Sequence, residues 1–120
     1  MKPRIDHTTF GSIIIGRKVY RHDVVIGLDG EVRKREKELS KQLYGTSHVL
    51  SLAEAEDVFE EGAERLILGT GHFDRVGLSE EARTFFVQKG CRVDTFPTPV
   101  AMKEWNQAQG AVIGLFHTTC

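Results

Sequence analysis

Apolar and polar positions alternate with a period near two through the first third of the chain, then recur with the period of a helix after Ser51. The early pattern predicts strands over Asp6–Phe10 and Ser12–Ile15, bounded by Gly11 and Gly16. A turn at Gly16-Arg17-Lys18 leads into a strand over Val19–Ile26. Asp29-Gly30 is the strongest two-residue turn signal in the chain and leads to a strand over Glu31–Arg35. That strand has few apolar residues to bury and is placed at a sheet edge, where charge discourages further pairing.

From Ser51 the reading changes. Ser51 and Glu54 have the spacing of a capping box, and Leu52, Ala55, Val58 and Phe59 fall on one helical face, with Gly62 as the stop. Arg65–Leu68 reads as a short strand. Ser79 caps a second helix with Ala82, Phe85 and Phe86 inward, closed by Gly90, and Cys91–Phe96 is the next strand. Thr98 as N-cap with Pro99 behind it opens a third helix to Gln109, with Val100, Ala101, Trp105 and Ala108 inward. Ala111–His117 is the final strand. A chain that stops just beyond such a strand is expected to have its last residues held in place.

Helices alternating with strands predict an α/β sheet covered by helices. The small β segment before them must pack on that core, because a few short strands are not stable alone. The 120 residues suffice for one domain, read as 1–120. With 40 % apolar and 28 % charged residues the composition is that of a globular protein, and a net charge of −1 gives no reason to expect nucleic acid or an anionic membrane as partner. No apolar run approaches the roughly 20 residues of a membrane span, and Met1–Asp6 lacks the apolar stretch of a signal peptide. Two cysteines, Cys91 and Cys120, make no disulfide framework, which points to a reducing cytoplasm. The sequence assigns no oligomeric state.

Candidate chemistry is sparse. Gly69-Thr70-Gly71 follows a strand, where open α/β sheets place their ligands, and its backbone could approach a small anion. It is not a dinucleotide fingerprint: the third glycine is replaced by Asp74, and the helix cap Ser79 comes eight residues after Gly71. His72 would add positive charge to such a site at low pH. Tyr44-Gly45-Thr46-Ser47-His48 gathers a phenol, two hydroxyls and an imidazole, but Ser47 and His48 are sequence neighbours that point apart in extended chain. The five histidines (His7, His22, His48, His72, His117) lack the spacing of a helical metal site, so no metal and no cofactor are expected. Cys120 beside a terminal carboxylate is a poor thiolate, and Cys91 reads as a small core residue. Arg33–Glu38 reads as a solvated strand end, and Glu54, Glu56, Asp57, Glu60 and Glu61 as one wet helix face.

Five elements in order add a resemblance: Asp6-His7-Thr8-Thr9-Phe10-Gly11-Ser12, Tyr44–His48, Leu66–Gly71, Thr98-Pro99-Val100-Ala101 through Trp105-Asn106, and Phe116-His117-Thr118-Thr119-Cys120. Together they resemble the Mth-type domain of unknown function, whose relatives include the adipogenesis-associated Mth domain-containing protein and the mitochondrial complex I assembly factor 3. The resemblance spans nearly the whole chain and implies a three-layer α/β domain: a central mixed sheet flanked by helices, with extra N-terminal strands on one side. The Tyr44–His48 loop is similar to that of archaeal and bacterial members. The family brings no established catalytic residues.

Two function classes remain. The first is a non-enzymatic interaction or assembly module with a protein partner, in line with the assembly role of some relatives. The second is a small-ligand protein or enzyme whose site would draw on Gly69, Thr70, Gly71, His72, Thr98, Tyr44, Ser47 and His48. Convergence of these loops on one polar pocket would favour the second, and an exposed apolar surface the first.

Overall fold

The computed structural model describes residues 2–120; Met1, which opens the N-terminal segment read above, lies outside the described residues. Strands β1 (Ile5–Thr9), β2 (Ser12–Ile15) and β3 (Lys18–Tyr20) form a small antiparallel sheet in that order. They are followed by β4 (Val24–Ile26), β5 (Val32–Lys34), α1 (Glu38–Tyr44), β6 (Val49–Leu50) and α2 (Leu52–Val58). The rest of the chain is β7 (Arg65–Gly69), β8 (Gly77–Leu78), α3 (Glu80–Gln88), β9 (Arg92–Phe96), α4 (Thr98–Gln107) and β10 (Val112–Phe116). The central sheet has the order β5-β4-β10-β7-β9. β10 runs parallel to β7 and antiparallel to β4, so the sheet is mixed.

Alternation within the central strands sorts the core into two sides. Val25, Leu66, Leu68, Ile113 and Leu115 face α2 and α3, where Ala55, Val58, Ala82 and Phe86 complete the cluster. Val24, Ile26, Ile67, Val112 and Phe116 face the other way, against α4 and the small sheet, with Ile5, Ile13, Ile15, Ala101 and Trp105. The mixed central sheet therefore lies between two helices on one side and a helix plus the N-terminal strands on the other. β5 stands at its edge, as its charges imply.

Several local expectations are corrected. The strand expected over Val19–Ile26 is broken: β3 stays with β2, while β4 pairs with β10 in the other sheet. Arg21-His22-Asp23 makes the crossing, and Asp23 turns its carboxylate into the interior. α1 carries no periodic signal, because Ser40 is its one fully buried residue. It is closed by Gly45, whose φ of 72° lets its N–H bond to the Lys41 carbonyl. α2 starts where expected, Ser51 accepting from the Glu54 N–H at 3.1 Å, but the reciprocal half of the capping box is missing. The Ser51 N–H instead bonds Ser40 Oγ at 3.0 Å. α2 also ends at Val58, short of Gly62, and leaves Leu52 on the surface. In α4 the cap position is Pro97, with Thr98 already helical; Val100 is exposed and the helix stops at Gln107.

The short strands β6 and β8 pair in parallel, and each runs through a serine N-cap into a helix. Ser51 and Ser79 thus start α2 and α3 side by side on the same sheet face.

Candidate functional site

The crossing before β4, the end of β5, the first turn of α2 and the end of β10 meet at one buried point. Asp23 Oδ2 lies 2.6 Å from His117 Nδ1 and accepts from Arg35 Nη1 at 3.0 Å. Asp23 Oδ1 accepts from the Thr118 backbone N–H at 2.8 Å and from its hydroxyl at 3.1 Å. The other side of the Arg35 guanidinium meets Glu54 with two bonds, Nε to Oε2 at 2.5 Å and Nη2 to Oε1 at 3.0 Å. Nη2 also donates to the Ser47 carbonyl at 2.8 Å, and Ser40 Oγ donates to Glu54 Oε1 at 2.5 Å. Among the described residues every buried side-chain nitrogen and oxygen has a partner.

These positions overturn two expectations. Arg35 is 2 % exposed and Glu54 0 %. Neither the strand-end charges nor the acidic helix face is uniformly solvated. A buried ion needs a partner, and these two find each other across 19 positions of sequence, a distance at which no periodicity speaks. Burial opposes the Arg35 cation, but the hydrogen bonds and charge of Glu54, helped by Asp23, outweigh it and raise its pKa. Burial would likewise raise the Asp23 carboxyl. The hydrogen bond and charge of His117, the Thr118 N–H and Arg35 instead hold it well below the usual carboxylate range.

An ionised Asp23 can only accept, so His117 Nδ1 carries the hydrogen that joins them. In the neutral imidazole this leaves Nε2 as an acceptor, and the Thr119 hydroxyl lies 3.2 Å from it. The His48 ring stands edge-on to His117 at 5.8 Å between centroids. His72 Nε2 lies 3.3 Å from the Thr8 hydroxyl, which is itself bound to the Ser12 carbonyl at 2.9 Å. Burial draws the His72 imidazole below its ordinary pKa; a bond to the Thr9 backbone works against this, and the charge of His117 adds to it.

Most of the residues singled out in the sequence are brought together here. Thr98 Oγ1 accepts from the Gly71 N–H at 2.9 Å and donates to the His117 carbonyl at 2.6 Å. The Gly69 carbonyl takes the His117 N–H at 2.9 Å. Ser47 and His48 approach from the other side. Tyr44 lies apart, at the exposed end of α1. The backbone N–H groups counted on for an anion are engaged internally: Thr70 to Phe96 O at 2.8 Å, Gly71 to Thr98, and His72 to Thr119 O at 2.7 Å. In this conformation those donors are occupied. Asp23, Arg35, Glu54, His117 and Thr119 join the site without having been counted as site residues in the sequence. The one local hint is a charged Asp23 set directly before the apolar run Val24–Ile26.

A second feature lies on the surface of the α2/α3 layer. Leu52 and Glu56 of α2 face Glu80, Glu81, Thr84, Phe85 and Gln88 of α3 across a groove of about 590 Å³. Two smaller cavities of about 210 Å³ lie elsewhere, one at Glu64, Arg65 and Arg92, another at Gly27 and Glu60. Leu52 and Phe85 give the groove its apolar lining, and Glu56, Glu80 and Glu81 bring three carboxylates to it.

Residues 5–114 match a family described as a protein of unknown function (DUF498/DUF598). The chain belongs to this family. The fold agrees: the conserved hypothetical protein PH1505 from Pyrococcus horikoshii OT3 superposes with a TM-score of 0.90 at 32 % identity, over 98 % of this chain and 99 % of that one. A solved structure named MT938 gives a TM-score of 0.84 at 31 % identity, over 99 % and 100 % of the two chains. A Bordetella pertussis protein titled a Mth938-like domain shares the fold at 16 % identity with a TM-score of 0.64, over 97 % of this chain and 85 % of that one. The resemblance to Mth-type domains drawn from the sequence is thereby established, and the family name carries no activity with it.

Proposed function

We propose that the chain works as an interaction module, binding a partner protein without chemistry at the contact, through the groove between α2 and α3. The observation that carries this reading is that the groove brings the apolar side chains of Leu52 and Phe85 together with the carboxylates of Glu56, Glu80 and Glu81. Such a groove suits a segment that presents an aliphatic side chain flanked by lysine or arginine. A cytoplasmic setting fits the two free thiols. The groove's carboxylates speak against nucleic acid as the occupant.

The test is an amide-shift titration with a short peptide alternating lysine and leucine. Saturable shifts confined to α2 and α3, weakened by salt and abolished by Glu80→Lys with Glu81→Lys, are expected. Absence of saturation, or shifts centred on Gly69–His72, would overturn the reading. The second reading, a small-ligand site or enzyme around Gly69–His72, draws on the convergence of Ser47, His48, His72 and Thr98 about His117.

A further inference from the structure

We propose that Thr119, His117 and Asp23 form an acyl-transfer site for small uncharged esters with an apolar acyl group. This inference deepens the second reading and does not depend on the groove.

The line of groups has the order that activates a hydroxyl: a nucleophile within reach of a base, and the base oriented by a third group. Thr119 Oγ1 lies 3.2 Å from His117 Nε2, and His117 Nδ1 lies 2.6 Å from Asp23. Asp23 is fixed from behind by the Thr118 N–H at 2.8 Å and by Arg35 at 3.0 Å, whose own charge is matched by Glu54. The base is therefore rigid and 4 % exposed, while Thr119 is half-buried at the surface. Among the described residues the backbone N–H groups of Thr119 and Cys120 donate no hydrogen bond, which leaves them for a developing oxyanion.

The acyl class follows from the neighbours of the tail. Phe10 and Phe73, 57 % and 65 % exposed, stand 5.8 Å apart as a tilted pair. Gly11, next to Phe10, donates its N–H to the Thr118 carbonyl at 2.7 Å, and the Phe73 N–H donates to the Cys120 carbonyl at 3.2 Å. Two exposed phenyl rings are thus tied to the chain on either side of Thr119 and offer an apolar rest for an acyl chain. In the reaction the Thr119 hydroxyl proton passes to His117 Nε2 as Oγ1 bonds to the acyl carbon. The ester C–O bond breaks, and the departing alcohol oxygen takes that proton. Water then attacks the acyl-threonine, giving its proton to His117, and the threonine leaves with it as a free hydroxyl.

The full chain is assayed with 4-nitrophenyl butyrate and, separately, labelled with an alkyl fluorophosphonate and mapped by peptide mass. The expected results are one label per chain on Thr119, a loss of at least about 100-fold in turnover for Thr119→Ala, and retained turnover for Thr119→Ser. Asp23→Asn, acting through His117, is expected to lower kcat by a similar factor with KM unchanged, which a general loosening of the fold would not do. If Asp23→Asn fails to fold, the Thr119 pair decides alone. Turnover unaffected by Thr119→Ala, label on Cys120 or elsewhere, or no turnover above buffer each overturns the proposal. None of these results bears on peptide binding at the groove.

Discussion

Asp23 and His117, 94 positions apart in sequence, are joined at 2.6 Å in the interior where the two sheets meet. The bond ties the crossing between β3 and β4 to the end of β10. Its strength depends on Asp23 being ionised.

Acid should therefore reveal it. Burial alone would raise the Asp23 carboxyl, but His117, Thr118 and Arg35 depress it well below the ordinary value. A depressed carboxylate contributes stability that is present above its unfolded pKa of about 3.9 and is lost as pH falls through the folded value. The difference in stability between wild type and Asp23→Asn, about 3–5 kcal/mol at neutral pH, is expected to hold constant down to about pH 5 and shrink below about pH 4. Thermal melts across that range check it. A difference that already narrows between pH 7 and 5 would contradict the assignment.

Arg35 should show strong non-additivity. Arg35→Met leaves Asp23 and Glu54 buried without their cation and is expected to cost about 3–5 kcal/mol. Adding Glu54→Gln removes one of the stranded charges, so the double variant should be more stable than the sum of the singles by about 1–3 kcal/mol. Urea unfolding of the four proteins measures this. Additive costs would mean that the pair contributes nothing through its mutual contact.

Periodicity and turn chemistry made the central sheet, three of the four helices and the edge position of β5 legible, because each rests on local signals. Ser51, Ser79 and the apolar run of β7 each announce an element within a few residues. The broken strand at Asp23 and the helix α1 escaped because their causes are tertiary. Asp23 leaves the strand for His117 and Arg35, and α1 buries little beyond Ser40 to reach Glu54. The site shows the same division. The sequence picked out Gly71, Thr98 and His48, which do surround His117, but Arg35 and Glu54 looked like surface charges because their partners are remote.

Gly71 and Gly45 should separate steric from conformational cost. Both have positive φ, 99° and 72°. A Cβ at Gly45 meets nothing within 4 Å, whereas one at Gly71 would collide with the Cys120 carbonyl group and lie 2.9 Å from His117 Cδ2. Gly45→Ala is expected to cost about 1 kcal/mol from backbone strain alone. Gly71→Ala should cost several-fold more and displace the Thr119–Cys120 tail. Equal costs by urea unfolding would show that the tail yields freely.

The two thiols should differ. Burial pushes the Cys91 thiol up to about 11 and leaves the residue 4 % exposed, while Cys120 is half-buried. An Ellman titration of the native protein at pH 8 is expected to give one prompt equivalent, mapped to Cys120, and the second after denaturation. Prompt reaction at Cys91 would require an opening of the β9 edge of the core.

The N-terminal sheet should unfold with the rest of the chain. The Asn106 side-chain amide accepts from the Ile5 N–H at 2.9 Å and donates to the Ile5 carbonyl at 2.8 Å, completing a strand-like pair from a helix. Beside it Trp105 Nε1 donates to the Pro3 carbonyl at 2.8 Å, and Ile5, Ile13 and Ile15 share one apolar cluster with Trp105, Ile67 and Phe116. Neither part has a complete core without the other. Trp105 fluorescence and far-ultraviolet circular dichroism are expected to report a single coincident thermal transition. Asn106→Ala strands two buried backbone groups and should lower stability by about 1–3 kcal/mol. Its transitions should still coincide, because the shared apolar cluster remains. Two separated transitions in the wild type would show that β1–β3 fold as an independent unit, and separation in Asn106→Ala alone would show that the amide, not the apolar cluster, couples the two parts.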